Sequence, residues 1–111
     1  MFFSLMALTA AAASMQAEPV NNARRAYSDC LQAYLREQLQ QRTEPAAFEA
    51  ALPGQCADRA AAFTAAMIQR DSRADGRARA EENARIQMED IRATKAEYYV
   101  DYHSTNTIPP D

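Results

Sequence analysis

The chain reads as all-α: a short disulfide-stapled helical bundle made of a helix, a short helix and a long third helix that either extends beyond the bundle or kinks near Gly76. Three observations predict this. Alanine, the strongest helix former, dominates the 48% hydrophobic share of the 111 residues. Residues that favour strands are scarce, since Val20, Val100, Ile68, Ile86, Ile91 and Ile108 are the only Val and Ile. Larger apolar residues recur at helical spacings of three and four. Alanine buries little area, and a chain this short buries a low fraction of its surface, so a covalent staple or a partner is expected.

The first 17 residues, MFFSLMALTAAAASMQA, carry no charged side chain. The apolar run from Phe2 to Ala13 has the length of a signal-peptide core, too short for a bilayer span. Small residues suited to a signal peptidase follow, with cleavage expected after Ala17 and Ala13 as the other site. The pattern departs from a usual signal in one respect, because no basic side chain precedes Arg24. A buried N-terminal helix or an uncleaved anchor is the competing reading.

Export decides how Cys30 and Cys56 are read. They are the only two cysteines, and an even count in a short exported chain points to one intrachain disulfide. No C-x-x-C is present and neither cysteine adjoins the single histidine.

The chain then divides into a stapled helical part at 18–75, a charged and then Tyr-rich helical extension at 76–103, and a disordered tail at 104–111. Helix one is expected from Asn22 to Gln41, with Tyr27, Cys30, Leu31, Tyr34, Leu35 and Leu39 on one face. Thr43 is expected to cap a short second helix, with Pro45 in its first turn and Phe48 and Leu52 facing inward. Pro53-Gly54 ends it, and helix three starts near Gln55. The Cys30–Cys56 bridge is expected to set helix three parallel to helix one, with helix two antiparallel between them and Phe63 and Met67 against Tyr34, Leu35 and Leu39.

Steps of four and three from Cys56 give Ala60, Phe63, Met67, Arg70, Ala74, Arg77, Glu81, Ala84, Met88, Ile91, Lys95, Tyr98 and Tyr102. This register is apolar at both ends and polar between. Arg70 to Glu97 holds seven basic and seven acidic residues, which can pair as Asp75–Arg79, Glu81–Arg85, Glu82–Arg85 and Glu89–Arg92 on a solvated helix. Gly76 is the weak point, where the helix kinks or turns back. Met88, Ile91, Tyr98, Tyr99 and Tyr102 form a candidate interface, because aromatic residues on a charged helix favour contact with another protein or a second copy. If the chain turns back at Gly76, the same stripe packs on the protein's own core.

No catalytic constellation can be assembled: His103 stands alone beside the tail and is expected in solvent, and Gly54 and Gly76 cannot make a phosphate loop. No metal site or cofactor is indicated. A net charge of −3 with interspersed signs argues against nucleic acid. The expected role is a non-catalytic protein-interaction or structural one in the periplasm or outside the cell. The alternative is a stress-type holdase that binds unfolded proteins. Protein recovered from an exporting host is expected to lack residues 1–17, which intact-mass measurement reads directly; a mass that retains Met1 contradicts export.

Overall fold

The computed structural model describes the backbone of residues 2–110 and the side chains of residues 18–110. Four helices account for almost all of it: α1 (Phe2–Gln40), α2 (Pro45–Ala51), α3 (Ala57–Asp75) and α4 (Arg77–Thr105), with one 3-10 turn at Leu52–Gly54. There is no strand among the described residues. The expected start of helix one at Asn22 is corrected, since α1 passes through Pro19 without a break. Proline removes one donor, and the alanine-rich flanks supply enough helix propensity to carry the chain past it. The side chains of the expected signal peptide lie outside the described residues.

One face of α1 makes the floor of the core. Val20, Tyr27, Leu31, Leu35 and Leu39 are all buried, at spacings that keep them on one stripe. The helix closes on Arg42, which takes left-handed φ of 58°. The Arg42 amide then donates to Leu39 O and the Thr43 amide to Gln38 O, at 3.1 and 3.0 Å. This closure satisfies two terminal carbonyls and uses up Thr43. The expected Thr43 cap on helix two is therefore replaced: Glu44 occupies the cap position without a side-chain bond, while the Thr43 hydroxyl donates to Gln38 Oε1 at 2.7 Å.

The Cys30–Cys56 disulfide is formed, with Cα atoms 6.1 Å apart. It closes a loop of sequence separation 26, which stabilises the fold by roughly 3 to 4 kcal/mol in the chain-entropy view. Helix two runs back along helix one, as expected, but the direction of helix three differs from expectation. Thr43 bonds Gln38, Phe48 stacks on Tyr34, Cys56 joins Cys30, and Phe63 packs on Tyr27 at 6.3 Å between ring centroids. Partners on α1 thus descend as the chain ascends, so α2 and α3 both run back along α1. Helix three is antiparallel to helix one, and Phe63 meets Tyr27, well short of the expected Tyr34 and Leu39. The physical reason is that Pro53-Gly54 and a left-handed Cys56 bend the chain without reversing it.

The reversal comes at Gly76. Its φ of 81° and ψ of 155° belong to a region that residues with a Cβ seldom enter. The Gly76 amide closes α3 on Ser72 O at 2.9 Å, and its carbonyl opens α4 by accepting from Ala80 at 3.0 Å. α4 then packs antiparallel to α3, bringing Asn83, Ile86 and Gln87 beside Met67, Arg70 and Asp71. Of the two expected courses of the long helix, the break and return at Gly76 is the one observed: α4 does not project through solvent and is folded onto the bundle. Ala84, Met88 and Tyr99 share one buried cluster with Leu31, Leu35, Phe48 and Phe63. The expected solvated stretch contains Ala80 and Ala84, both fully buried. Its charges keep to the outer face: Arg85 pairs with Glu82, as expected, and also with Glu89 at 2.7 Å, while Glu81 pairs with Arg77 at 2.9 Å.

The tail is less free than its composition suggests. Asn106 takes the left-handed position after α4, and Thr107 donates to Tyr102 O at 3.0 Å, the same closure used by α1. Pro109 beyond it is buried.

Replacing Gly76 by Ala is expected to destabilise the protein by about 1 to 3 kcal/mol, although a Cβ there would meet no atom within 4 Å. The cost comes from backbone conformation alone. Denaturant unfolding of the two proteins measures it, and an unchanged midpoint contradicts the assignment of the reversal to this residue.

Candidate functional site

The residues of the expected interface do not form one exposed stripe. Met88 and Tyr99 are buried, at 6% and 0% exposure. Ile91 and Tyr102 are partly buried against the same core, and Tyr98 alone is open, at 50%. The helical phase explains this. Ala80, Ala84, Met88, Ile91, Lys95, Tyr99 and Tyr102 are separated by steps of four, four and three, a period of eleven, which follows a straight helix better than a seven-residue repeat. A strict alternation of four and three lands on Tyr98, one residue short of the side chain that points inward.

Tyr99 is the centre of the aromatic packing. Its ring stacks on Phe48 at 3.9 Å and 7° between planes, Phe48 stacks on Tyr34 at 5.5 Å, and His103 closes the other side of Tyr99 at 5.9 Å. The Tyr99 hydroxyl donates to Thr43 O at 2.5 Å. His103, expected in solvent, is half-buried against this stack. Burial pushes the Tyr99 phenol above the ordinary tyrosine value, with Arg42 opposing the shift.

Two grooves remain. The first, of about 320 Å³, lies between α1 and α4 and is lined by Ser28, Asp90, Ile91, Thr94, Lys95 and Tyr98. Lys95, the only lysine of the chain, donates to Gln32 Oε1 at 2.9 Å. Burial lowers the pKa of its ammonium, with Asp29 acting the other way.

The second groove, of about 1030 Å³, runs between α3 and α4. Ala60, Ala61, Thr64, Ala65 and Ile68 line it from α3, and Met88 from α4. Towards the Gly76 turn Ser72 and Arg73 continue the α3 wall, while Arg77, Glu81, Arg85 and Arg92 form a row along α4. The groove exists because alanine ridges are low: where two helices pack, short side chains on one leave a channel beside the longer ones of the other. A search for large apolar residues passes over it. The signal that could have found it is the set Ala60, Ala61 and Ala65 on α3, opposite arginines at 77, 85 and 92 on α4.

Its chemistry is that of a binding surface. Four guanidinium groups, one carboxylate and two hydroxyls surround an apolar floor, and neither histidine nor cysteine lines it. Among the residues with described side chains, no group of three or more His, Cys, Asp or Glu comes together to hold a metal ion. No helix among them is long and apolar enough to cross a membrane. Compared with known proteins, the chain matches no family model, no curated sequence and no solved structure.

Changing Tyr99 to Phe keeps the ring and removes the hydroxyl, at an expected cost of about 1 kcal/mol. Changing it to Ala empties the stack, and about 3 to 5 kcal/mol is expected. The fold holds the phenol protonated, so wild-type stability is full below about pH 10, the ordinary tyrosine value, and falls as pH rises beyond it. The Phe variant should lose part of that alkaline fall. Urea unfolding of the three proteins between neutral pH and about pH 11 checks both, and identical alkaline profiles for wild type and Tyr99→Phe contradict the assignment.

Proposed function

We propose that this protein performs no chemistry of its own and works as an exported helical module that engages another protein through the groove between α3 and α4. The observation that carries this reading is that groove itself: an open apolar channel flanked by arginines on a small, disulfide-bonded bundle. Large hydrophobic side chains otherwise exposed, Ile86, Tyr98, Val100 and Ile108, stand singly, and scattered apolar residues are ordinary on a protein surface. Support for export comes from the uncharged apolar opening at 1–17 and from the Cys30–Cys56 bridge, which persists in oxidising compartments.

The competing reading, a holdase for unfolded proteins, draws on Tyr98 and Val100, which are each about half exposed on α4. A photo-crosslinking residue placed at Gln69, on the groove, separates the two. One discrete adduct in the exporting host, absent when the label is moved to the exposed Glu49 of α2, supports a defined partner. A broad ladder of adducts from both positions, with suppression of client aggregation by the purified protein, supports the holdase. No adduct from Gln69 removes the interaction role of the groove.

A further inference from the structure

We propose that the occupant of the α3–α4 groove is an acidic amphipathic helix of a partner protein, an inference that rests on the interaction role above and names its chemistry. Three features point to this occupant: length, floor and distribution of charge.

The α4 wall runs from Arg77 to Arg92, which at a rise of 1.5 Å per residue is about 22 Å, or roughly four helical turns. The floor is built from alanines, with Ile68 and Met88 along it. Small floor residues let a helix backbone approach closely, and a helix laid in such a channel buries one apolar face. Arginines stand at the Gly76 end, in the middle and at the far end: Arg73 and Arg77, then Arg85, then Arg92, with Glu81 the one carboxylate in the lining and Glu82 and Glu89 paired to Arg85 beside it.

Charge spread along the full length suits a ligand that bears carboxylates turn after turn. An amphiphile with one anionic headgroup would engage one end only. A second copy of this chain is disfavoured on the same ground, because a two-fold contact through this face sets one arginine row against another. The arginines are not locked in place. Arg77 and Glu81 keep side-chain exposures of 77% and 52%, and Arg85 and Glu89 of 52% and 56%. Exposed pairs of this kind are weak, so a partner's carboxylates can replace them at little cost.

The test uses the intact, oxidised protein and a labelled synthetic helix of about fifteen residues, the length that spans the groove, with Leu and Ala on one face and Glu along both its edges. Fluorescence anisotropy is expected to report saturable binding that weakens about tenfold when salt rises from about 50 to about 300 mM. It is expected to weaken at least as much in the double variant Arg73→Glu, Arg85→Glu, whose melting curve should stay close to the parent's because both side chains are exposed. A variant that fills the floor, Ala61→Trp, should also block binding. Equal binding of a peptide with Lys in place of Glu overturns the proposal, as does unchanged affinity in the arginine variant. Arginine-dependent binding to vesicles of anionic phospholipid without binding of the acidic peptide overturns it in favour of a lipid. Failure of the peptide together with a discrete Gln69 adduct in the host rejects acidic-helix chemistry alone; failure of both rejects the interaction role as well.

Discussion

The Tyr99 ring is where three helices meet. It lies flat on Phe48 of α2, which lies on Tyr34 of α1, and its hydroxyl holds the carbonyl of Thr43 in the turn between those two helices. A core with so few large side chains cannot spread its cohesion evenly. Alanine supplies helix propensity and close approach, while the aromatic rings supply most of the area that can be removed from water. The rest of α4 follows from this anchor. With its far end held at Tyr99 and its near end turned at Gly76, the helix must lie along the bundle: Ala80 is buried, and Ala84 and Met88 join the cluster built by α1 and α3.

Two constraints of the chain make that anchor reachable. The disulfide pins the start of α3 to Cys30, ten residues before the end of α1, so that α3 runs back along α1 and delivers Gly76 far from the aromatic stack. α4 must then be long to return, and its 29 residues make it so. The outer faces of the returning helix pair carry the charges, and the small residues of α3 leave the groove between them. The feature proposed to bind a partner is thus a by-product of how a core poor in large residues closes.

Much of this was legible in the residues. The α1 stripe, the inward Phe48 and Leu52, the inward Phe63 and Met67, the bridge and the importance of Gly76 all follow from spacing, turn chemistry and cysteine count. Three things were not legible, each for a physical reason. The direction of α3 depends on whether a short turn bends or reverses the chain, and Pro53-Gly54 permits either. The inward face of α4 begins at Ala80, which the four-and-three register from Cys56 skips, and follows an eleven-residue phase that puts Tyr99 inside and Tyr98 outside. The groove is made by what is missing from α3, low ridges in place of bulky ones, and the absence of bulk leaves little trace in a hydrophobic pattern. Of the candidate-interface tyrosines, Tyr99 and Tyr102 belong to the core or pack against it, and Tyr98 alone stays open.

Both the core and the groove depend on the return of α4 and its docking through Tyr99, because an α4 that projected into solvent would leave no groove beside α3 and would expose the tyrosines instead. Nuclear Overhauser contacts from the Tyr99 ring in the oxidised protein test this most directly. Strong contacts to the ring of Phe48, whose centroid lies 3.9 Å from that of Tyr99, are the predicted result, together with contacts from the Phe48 ring to Tyr34, 5.5 Å from it on the same stack. A Tyr99 ring that shows contacts only to its own helix, with chemical shifts of an exposed tyrosine, would contradict it.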